Sequence, residues 1–283
     1  MKKRGGRGIW RAIGRGLAIV LAVGFAATAH AYLTLPDVRI LRTANPATTA
    51  FMALREREAH AQGKPVVKDQ RWVPYSRISA NLKRAVIVTE DDAFWKHEGV
   101  DYVQLRESME VNWERREFAR GASTITQQLA KNLYLSPSKN PMRKVKELLI
   151  TRRLEFELTK QRILEIYLNV IEWGDGVWGA EAAARRYFQK SAAELNAPES
   201  ALLAAAIANP HIMDPAHPSA RLRRRQQMIM RRMGAVTPPP VLPGPPVPPP
   251  VPDTIEGLPP VLPLPTIPIG PPGGSGTGRG PGQ

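Results

Sequence analysis

The sequence predicts a mainly α-helical fold, with an apolar helix before it and a disordered, proline-rich tail after it. Three observations support this prediction. Apolar residues in the middle of the chain recur at helical spacing, and no convincing run shows the period of a β-strand. Residues 16–35 contain no Asp, Glu, Lys or Arg. After residue 233 the composition changes abruptly to proline and glycine, so only the middle of the 283-residue chain can form an ordinary core.

The N-terminus combines a basic segment, residues 1–15, with the apolar run of residues 16–35. About 20 apolar residues can span a membrane as a helix, and basic residues before them place the N-terminus in the cytoplasm. The alternative is a cleaved signal peptide, because Ala29-His30-Ala31 matches the small-x-small cleavage pattern. We predict an uncleaved, single-pass transmembrane helix. Both interpretations export the rest of the chain, which disfavours a nucleic-acid partner.

The elements that follow can be placed in order along the chain. Residues 36–71 are predicted to form a membrane-proximal connector, and residues 72–233 the globular domain. Its helices are predicted to begin near Ser79, Asp101, Ser123 and Pro141, with further helices at 160–169, 180–188 and 198–208. Ser79 suits an N-cap, because its hydroxyl can accept a hydrogen bond from the first turn. Residues 234–283 are predicted to be a disordered or polyproline II tail, with a tether or a docking ligand as its functional alternative.

The net charge of +15 suits a nucleic acid, an anionic membrane surface or a polyanionic substrate as partner, and charge alone does not choose among them. The chain contains no cysteine. Disulfides, thiolate metal sites and a cysteine nucleophile are therefore excluded.

The first candidate site is the segment TEDDAFWKHEGVD, Thr89–Asp101, in which three adjacent acids precede two aromatic residues. Adjacent carboxylates repel each other, and aromatic neighbours can remove water from one of them. Both effects raise the pKa of a carboxyl group and make it a proton acceptor near neutrality. The alternative is a capped helix end with solvated acids. His97 is equally compatible with a hydrogen bond in the turn before Gly99.

The second and third candidate sites lie on predicted helices. In GASTITQQLAKN, Ser123, Gln127 and Lys131 recur every four residues, so a helix starting at Ser123 would carry them on one polar face suited to phosphate or sugar oxygens. In RKVKE, Arg143 and Lys144 share a face with Glu147 and leave a net positive edge that suits a pyrophosphate. The alternatives are a solvated helix face and an ordinary intrahelical ion pair.

The order and spacing of the motifs are more informative than any one of them. EDDAFWKHEG, GASTITQQLAKN, RKVKE, RILEIYLNVIEWGDGVWGAEAAARRYF and ALLAAAIANP together strongly resemble the five ordered motifs of the family 51 glycosyltransferases, the peptidoglycan glycosyltransferases. The resemblance covers residues 72–233 and implies a lysozyme-like, two-lobed domain. The single predicted anchor, and the lack of a K-T-G motif of a penicillin-binding transpeptidase, favour the monofunctional type.

The resemblance also implies a substrate, a location and roles. The substrate would be lipid II, joined to a growing lipid-linked glycan at the periplasmic side of the bacterial inner membrane, with the bilayer and other cell-wall synthesis and division proteins as partners. Glu90 matches the catalytic base and Glu147 the second essential glutamate. The implied substrate and pyrophosphate ligands are Ser123, Gln127, Lys131, Asn132, Lys139, Arg143 and Lys144, and the supporting residues are Asp91 and His97. A divalent metal ion, Mg²⁺ or Mn²⁺, is a candidate assistant, and no organic cofactor is expected.

Two rival functions remain open at this point. A lysozyme-like lytic enzyme would cleave the same glycan with one glutamate as general acid, and it would not need a cationic pyrophosphate site. A membrane-tethered scaffold of the cell-wall machinery would act through the proline-rich tail and would not depend on Glu90.

Overall fold

The computed structural model describes residues 6–115, 123–137 and 141–235, all within one compact unit. The prediction of a mainly helical protein is confirmed. The α-helices of the described ranges are α1 Gly6–Leu33, α2 Ala50–Ala61, α3 Ala80–Glu90, α4 Tyr102–Arg115, α5 Ile125–Tyr134, α6 Pro141–Glu157, α7 Lys160–Val170, α8 Ala180–Phe188, α9 Ala197–Ala206 and α10 Ala220–Ala235. Short 3₁₀ turns lie at Arg39–Arg42, Tyr75–Arg77 and Ala192–Glu194.

A small sheet, which periodicity did not predict, joins two distant parts of the chain. Its strands are β1 Asp69–Gln70, β2 Glu172–Gly174 and β3 Val177–Trp178, in the order β1-β3-β2. β1 runs parallel to β3, and β2 pairs antiparallel with β3 across the turn at Gly176. Strands of two or three residues are too short to show an alternating pattern. Through α2 and β1, the segment of residues 36–71 is part of the folded domain.

The hydrophobic core lies between two groups of helices. In one group α3 packs against α9 and α10, and in the other α5 packs against α6 and α7. Ala201, Ala204 and Ala205 on α9 are fully buried, and their small side chains allow α3 to approach closely. Trp173 and Trp178 fill the region beside the sheet. This packing brings the C-terminal end of α3 next to the start of α5.

Local capping explains where these two helices begin. Ser79 caps α3 as predicted, because its hydroxyl oxygen accepts from the Leu82 amide at 3.0 Å. Helix α5 begins two residues later than predicted, at Ile125, with Thr124 as its N-cap. Thr124 and Gln127 form a capping box in which each side chain accepts from the backbone amide of the other.

The predictions for the two ends of the chain have different outcomes. Across the described ranges, no helix combines the length and the apolar character needed to cross a membrane, and the transmembrane role predicted for residues 16–35 is not confirmed. The predicted tail lies outside the described residues from position 236 onwards.

Candidate active site

Glu90 is the last residue of α3, and its side chain is partly buried. The Nε2 atom of Gln128 donates to its Oε2 atom at 2.9 Å. Burial raises the pKa of Glu90, and this effect outweighs the opposing influence of the Gln128 hydrogen bond and of the positive charges on Arg225 and Lys131. The carboxylate is therefore a stronger base than an exposed glutamate would be.

Asp91 lies directly behind Glu90 and is 2% exposed. It accepts hydrogen bonds from Nε2 of His97 at 2.8 Å and from the backbone amide of Ile125 at 2.9 Å. His97 accepts at Nδ1 from the Gly99 amide, so the ring carries its proton on Nε2. These contacts fasten the end of α3 to the first residue of α5.

The polar face predicted from Ser123, Gln127 and Lys131 is wrong in two respects. Ser123 precedes the helix and is exposed, so it does not belong to a helical face. Gln127 is 6% exposed and is used in the capping box with Thr124. The neighbouring Gln128 is the glutamine that contacts Glu90.

Lys131, one turn further along α5, is partly buried, and burial lowers its pKa. Glu147 and Glu90 raise the pKa of Lys131 by their negative charges, while Arg143 and Lys144 lower it. Lys131 thus lies within electrostatic reach of both glutamates and of the cations on α6. Asn132 follows it and donates to the backbone carbonyl of Gln128 at 2.8 Å.

Glu147 on α6 is 3% exposed and is held by two cations from the preceding turn. Arg143 donates to its Oε2 atom at 2.8 Å, and the Lys144 ammonium contacts its Oε1 atom. Lys144 remains half-exposed, so positive charge reaches the surface above a buried carboxylate. Lys139, the other predicted cation, lies outside the described residues.

Sequence reasoning missed three residues near Glu90, namely Gln128, Tyr167 and Arg225. Tyr167 was interpreted only as core; it is fully buried, and its hydroxyl donates to Oε1 of Gln128 at 2.7 Å. Arg225 on α10 lies within electrostatic range of Glu90, and within the described ranges its buried Nε atom has no hydrogen-bond partner. The sequence contained one signal for each of them. Gln128 belongs to a pair of adjacent glutamines, Tyr167 places a polar hydroxyl at a core position of α7, and Arg225 ends the basic run of residues 221–225.

Glu172, Asp175 and His211 are the group among the described residues that could hold a metal ion, with ligand atoms within 4.8 Å of one another. The arrangement fits a divalent ion poorly. Asp175 contacts Nδ1 of His211 and Glu172 lies at 3.3 Å from Nε2, so the carboxylates flank opposite ring nitrogens. Arg55 donates to Glu172 at 3.0 Å and lies 2.6 Å from Nε2 of His211, so a positive charge already occupies the space beside two of the three candidate ligands. Among the described residues, no hydrogen bond or ion pair connects this group with Glu90 or Glu147.

A mainly helical domain that sets a partly buried carboxylate of raised pKa near several cations has the components that a glycosyl-transferring enzyme needs, because such an enzyme must activate a hydroxyl and stabilise an anionic leaving group. Comparison with known proteins identifies the particular family. The family model described as "Transglycosylase" matches residues 56–234. This chain belongs to the transglycosylase family and is a peptidoglycan glycosyltransferase, which confirms the resemblance carried by the five motifs.

Several relatives named "Biosynthetic peptidoglycan transglycosylase" support the assignment. The protein of Janthinobacterium sp. (strain Marseille) is 48% identical over 196 residues, covering 68% of this chain and 83% of the relative. That of Nitrosomonas eutropha is 50% identical over 192 residues, covering 68% and 79% respectively. The protein of Thiobacillus denitrificans is 42% identical over 237 residues, covering 82% of this chain and 99% of the relative.

Proposed function

We propose that this enzyme polymerises lipid II into glycan strands with inversion at the anomeric carbon and release of polyprenyl pyrophosphate. The observation that carries the proposal is Glu90, a partly buried glutamate of raised pKa within electrostatic reach of Lys131 and Arg225. Glu90 takes the proton from the 4-hydroxyl of the incoming lipid II sugar. The hydroxyl oxygen then attacks the anomeric carbon of the growing chain, and the bond from that carbon to the pyrophosphate oxygen breaks.

The leaving group requires cations that are in place before the bond breaks. Lys131, Arg143 and Lys144 supply them, with Lys139 as a further proposed ligand. Glu147 holds Arg143 and Lys144 in position, because both of its oxygens are engaged by them. Ser123 lies just before α5, and Asn132 lies on α5 one turn after Gln128. Both are proposed to bind sugar or phosphate oxygens. Asp91 and His97 keep Glu90 aligned with α5.

The proposal is tested by incubating the purified enzyme with lipid II and separating the products by size. We expect glycan strands from the native enzyme, and a rate about 100- to 10,000-fold lower for Glu90→Gln, which cannot accept the proton. Asp92→Asn is the matched control, because Asp92 is half-exposed and forms only a surface ion pair with Arg232 at 2.9 Å. Its rate should stay close to that of the native enzyme.

The same preparation distinguishes the lytic alternative. Finished glycan incubated with the enzyme should remain intact. Shortened glycan, without any polymerisation of lipid II, would contradict the proposal. A Mg²⁺ or Mn²⁺ requirement stays a prediction, and it is checked by adding a chelator to the polymerisation assay and restoring each ion in turn.

We further propose that α1 attaches the enzyme to the inner membrane, with the catalytic domain on the periplasmic side. Six large apolar side chains on this helix are between 59% and 77% exposed, and a lipid environment would cover them. They are Leu17, Ile19, Val20, Leu21, Val23 and Phe25. The lysines and arginines among residues 1–15 precede the apolar run and favour the cytoplasmic side for the N-terminus. A substrate held in the membrane by its polyprenyl chain is also met best by an enzyme held there.

Membrane fractions test this second proposal. Attachment through apolar side chains should resist washing with concentrated salt, and a spanning helix should also resist alkaline carbonate. Protease added to spheroplasts should digest the catalytic domain. Release by salt alone, or digestion only after the cells are lysed, would contradict the proposal.

A further inference from the structure

Two hydrogen bonds in series connect the core of the domain with the proposed base. The hydroxyl of Tyr167 donates to Oε1 of Gln128 at 2.7 Å, and Nε2 of Gln128 donates to Oε2 of Glu90 at 2.9 Å. The three residues come from α7, α5 and α3. The series therefore exists only when these three helices have packed together.

The neighbours of Gln128 determine which way its amide points. Its NH₂ group has two acceptors, Oε2 of Glu90 and the carbonyl oxygen of Ser123, the latter at 3.4 Å. Its carbonyl oxygen accepts from the Tyr167 hydroxyl. If the amide turned over, that oxygen would face the carboxylate of Glu90, and two acceptors would oppose each other. The tyrosine therefore selects the amide orientation that favours the ionised carboxylate.

We infer that Tyr167 and Gln128 form a positioning pair that keeps Glu90 ionised and presents its Oε1 atom to the acceptor hydroxyl. The inference rests on the proposed role of Glu90 as the base. Gln128 occupies Oε2, which leaves Oε1 to receive the proton. Because burial favours the protonated acid, a fixed donor on the carboxylate shifts the balance back towards the ionised base.

Other charged groups also surround Glu90, and each must be considered in a pH experiment. Asp91 beside it raises the pKa of Glu90, whereas Arg225 on α10 and Lys131 on α5 lower it. The pKa of Tyr167 itself is raised well above its ordinary value by burial, so its hydroxyl stays protonated and remains a donor. None of these charges changes when the tyrosine loses its hydroxyl.

The experiment compares pH–rate profiles of lipid II polymerisation for the native enzyme and Tyr167→Phe. Activity requires ionised Glu90, so the rate falls as the pH drops through the pKa of Glu90. Without the tyrosine donor the Gln128 amide can turn over, which raises that pKa. We expect the acid limb of the profile to move upward by about half a unit to one unit, with a smaller change in the maximal rate.

Tyr187→Phe is the matched control. It removes another tyrosine hydroxyl, one that donates to the Trp173 carbonyl oxygen at 3.0 Å and does not contact Glu90. Its acid limb should coincide with that of the native enzyme. Gln128→Leu should move the limb upward, and adding Tyr167→Phe to it should cause no further shift, because the intermediary is already lost.

Three outcomes decide the inference. A Tyr167→Phe profile that coincides with those of Tyr187→Phe and the native enzyme would overturn it, as would a further shift in the double variant. If circular dichroism shows that Tyr167→Phe does not fold, the profile of Gln128→Leu decides, and an unshifted limb overturns the inference. A native enzyme that makes no glycan contradicts the proposed function instead, so the two failures are distinguishable.

Discussion

At the scale of single residues, the proposed site depends on Glu90, whose ionised form is disfavoured by burial. Burial raises the pKa of Glu90 above its ordinary value of 4.5. The folded state therefore binds the proton more tightly than the unfolded chain does. The free energy of unfolding therefore falls as the pH rises from the ordinary pKa of Glu90 through its raised pKa in the folded protein.

This linkage predicts that Glu90→Gln stabilises the protein while it removes activity. The neutral amide has no ionised form to desolvate, and its carbonyl oxygen can still accept from Gln128. The gain in unfolding free energy should be absent well below pH 4.5, grow across the interval up to the raised pKa, and stay constant above it. Urea unfolding of the variant and the native enzyme across this pH range measures the difference. A constant difference at every pH would contradict the prediction.

The sequence allowed some site residues to be predicted and concealed others. Glu90, Glu147 and the cations Arg143 and Lys144 lie in compact motifs, and the resemblance of those motifs to a known family supplies their predicted roles. The contact of Tyr167 with Gln128 joins residues 39 positions apart, and it depends on how α7 packs against α5. Spacing along one helix carries no information about such a pair.

At the scale of elements, the start of α5 supports Glu90, the proposed base. Thr124 is fully buried; its hydroxyl accepts from the Gln127 amide and donates to the Gly99 carbonyl oxygen at 2.7 Å. In the same turn, the backbone amide of Ile125 donates a hydrogen bond to the Asp91 carboxylate. One threonine thereby connects the helix start with the loop that follows Glu90.

Thr124→Ala should lower the unfolding free energy by about 2 kcal/mol, because both the cap and the buried contact to Gly99 are lost. Ser123→Ala is the matched control at the adjacent position. Ser123 is exposed and outside the helix, so this change should stay within about 0.5 kcal/mol. Equal effects in chemical unfolding would show that the cap has no special role.

Elements were predictable to the extent that they are long. Amphipathic spacing and capping residues predicted α3, α4 and α7 close to their observed positions. The sheet could not be predicted, since the pairing of Asp69 with Val177 joins two-residue strands that lie far apart in sequence. The shift of α5 by two residues arises because Thr124, and not Ser123, has its side chain in the capping position.

At the scale of the whole molecule, charge should govern how the enzyme meets its substrate. The chain has 40 basic and 25 acidic residues. An anionic lipid surface concentrates such a protein, and dissolved salt screens the attraction. The effect adds to the attachment proposed for α1 and is independent of the chemistry at Glu90.

We therefore expect polymerisation of lipid II in vesicles that contain phosphatidylglycerol to slow by several fold between about 0.05 M and about 0.5 M salt. Vesicles of phosphatidylcholine alone are the matched control and should show a much weaker dependence. The initial rate of glycan formation, measured at equal lipid II content, provides the comparison. An equal salt dependence in both vesicle types would assign the effect to the active site.

The enclosure of Glu90 has a consequence for the life of the chain before it folds. Its surroundings are made by α3, α5, α7 and α10, which are separated along the sequence and meet only in the finished domain. A newly made chain therefore carries at this position an ordinary, weakly basic glutamate. The proposed base gains its raised pKa only once these helices have packed together.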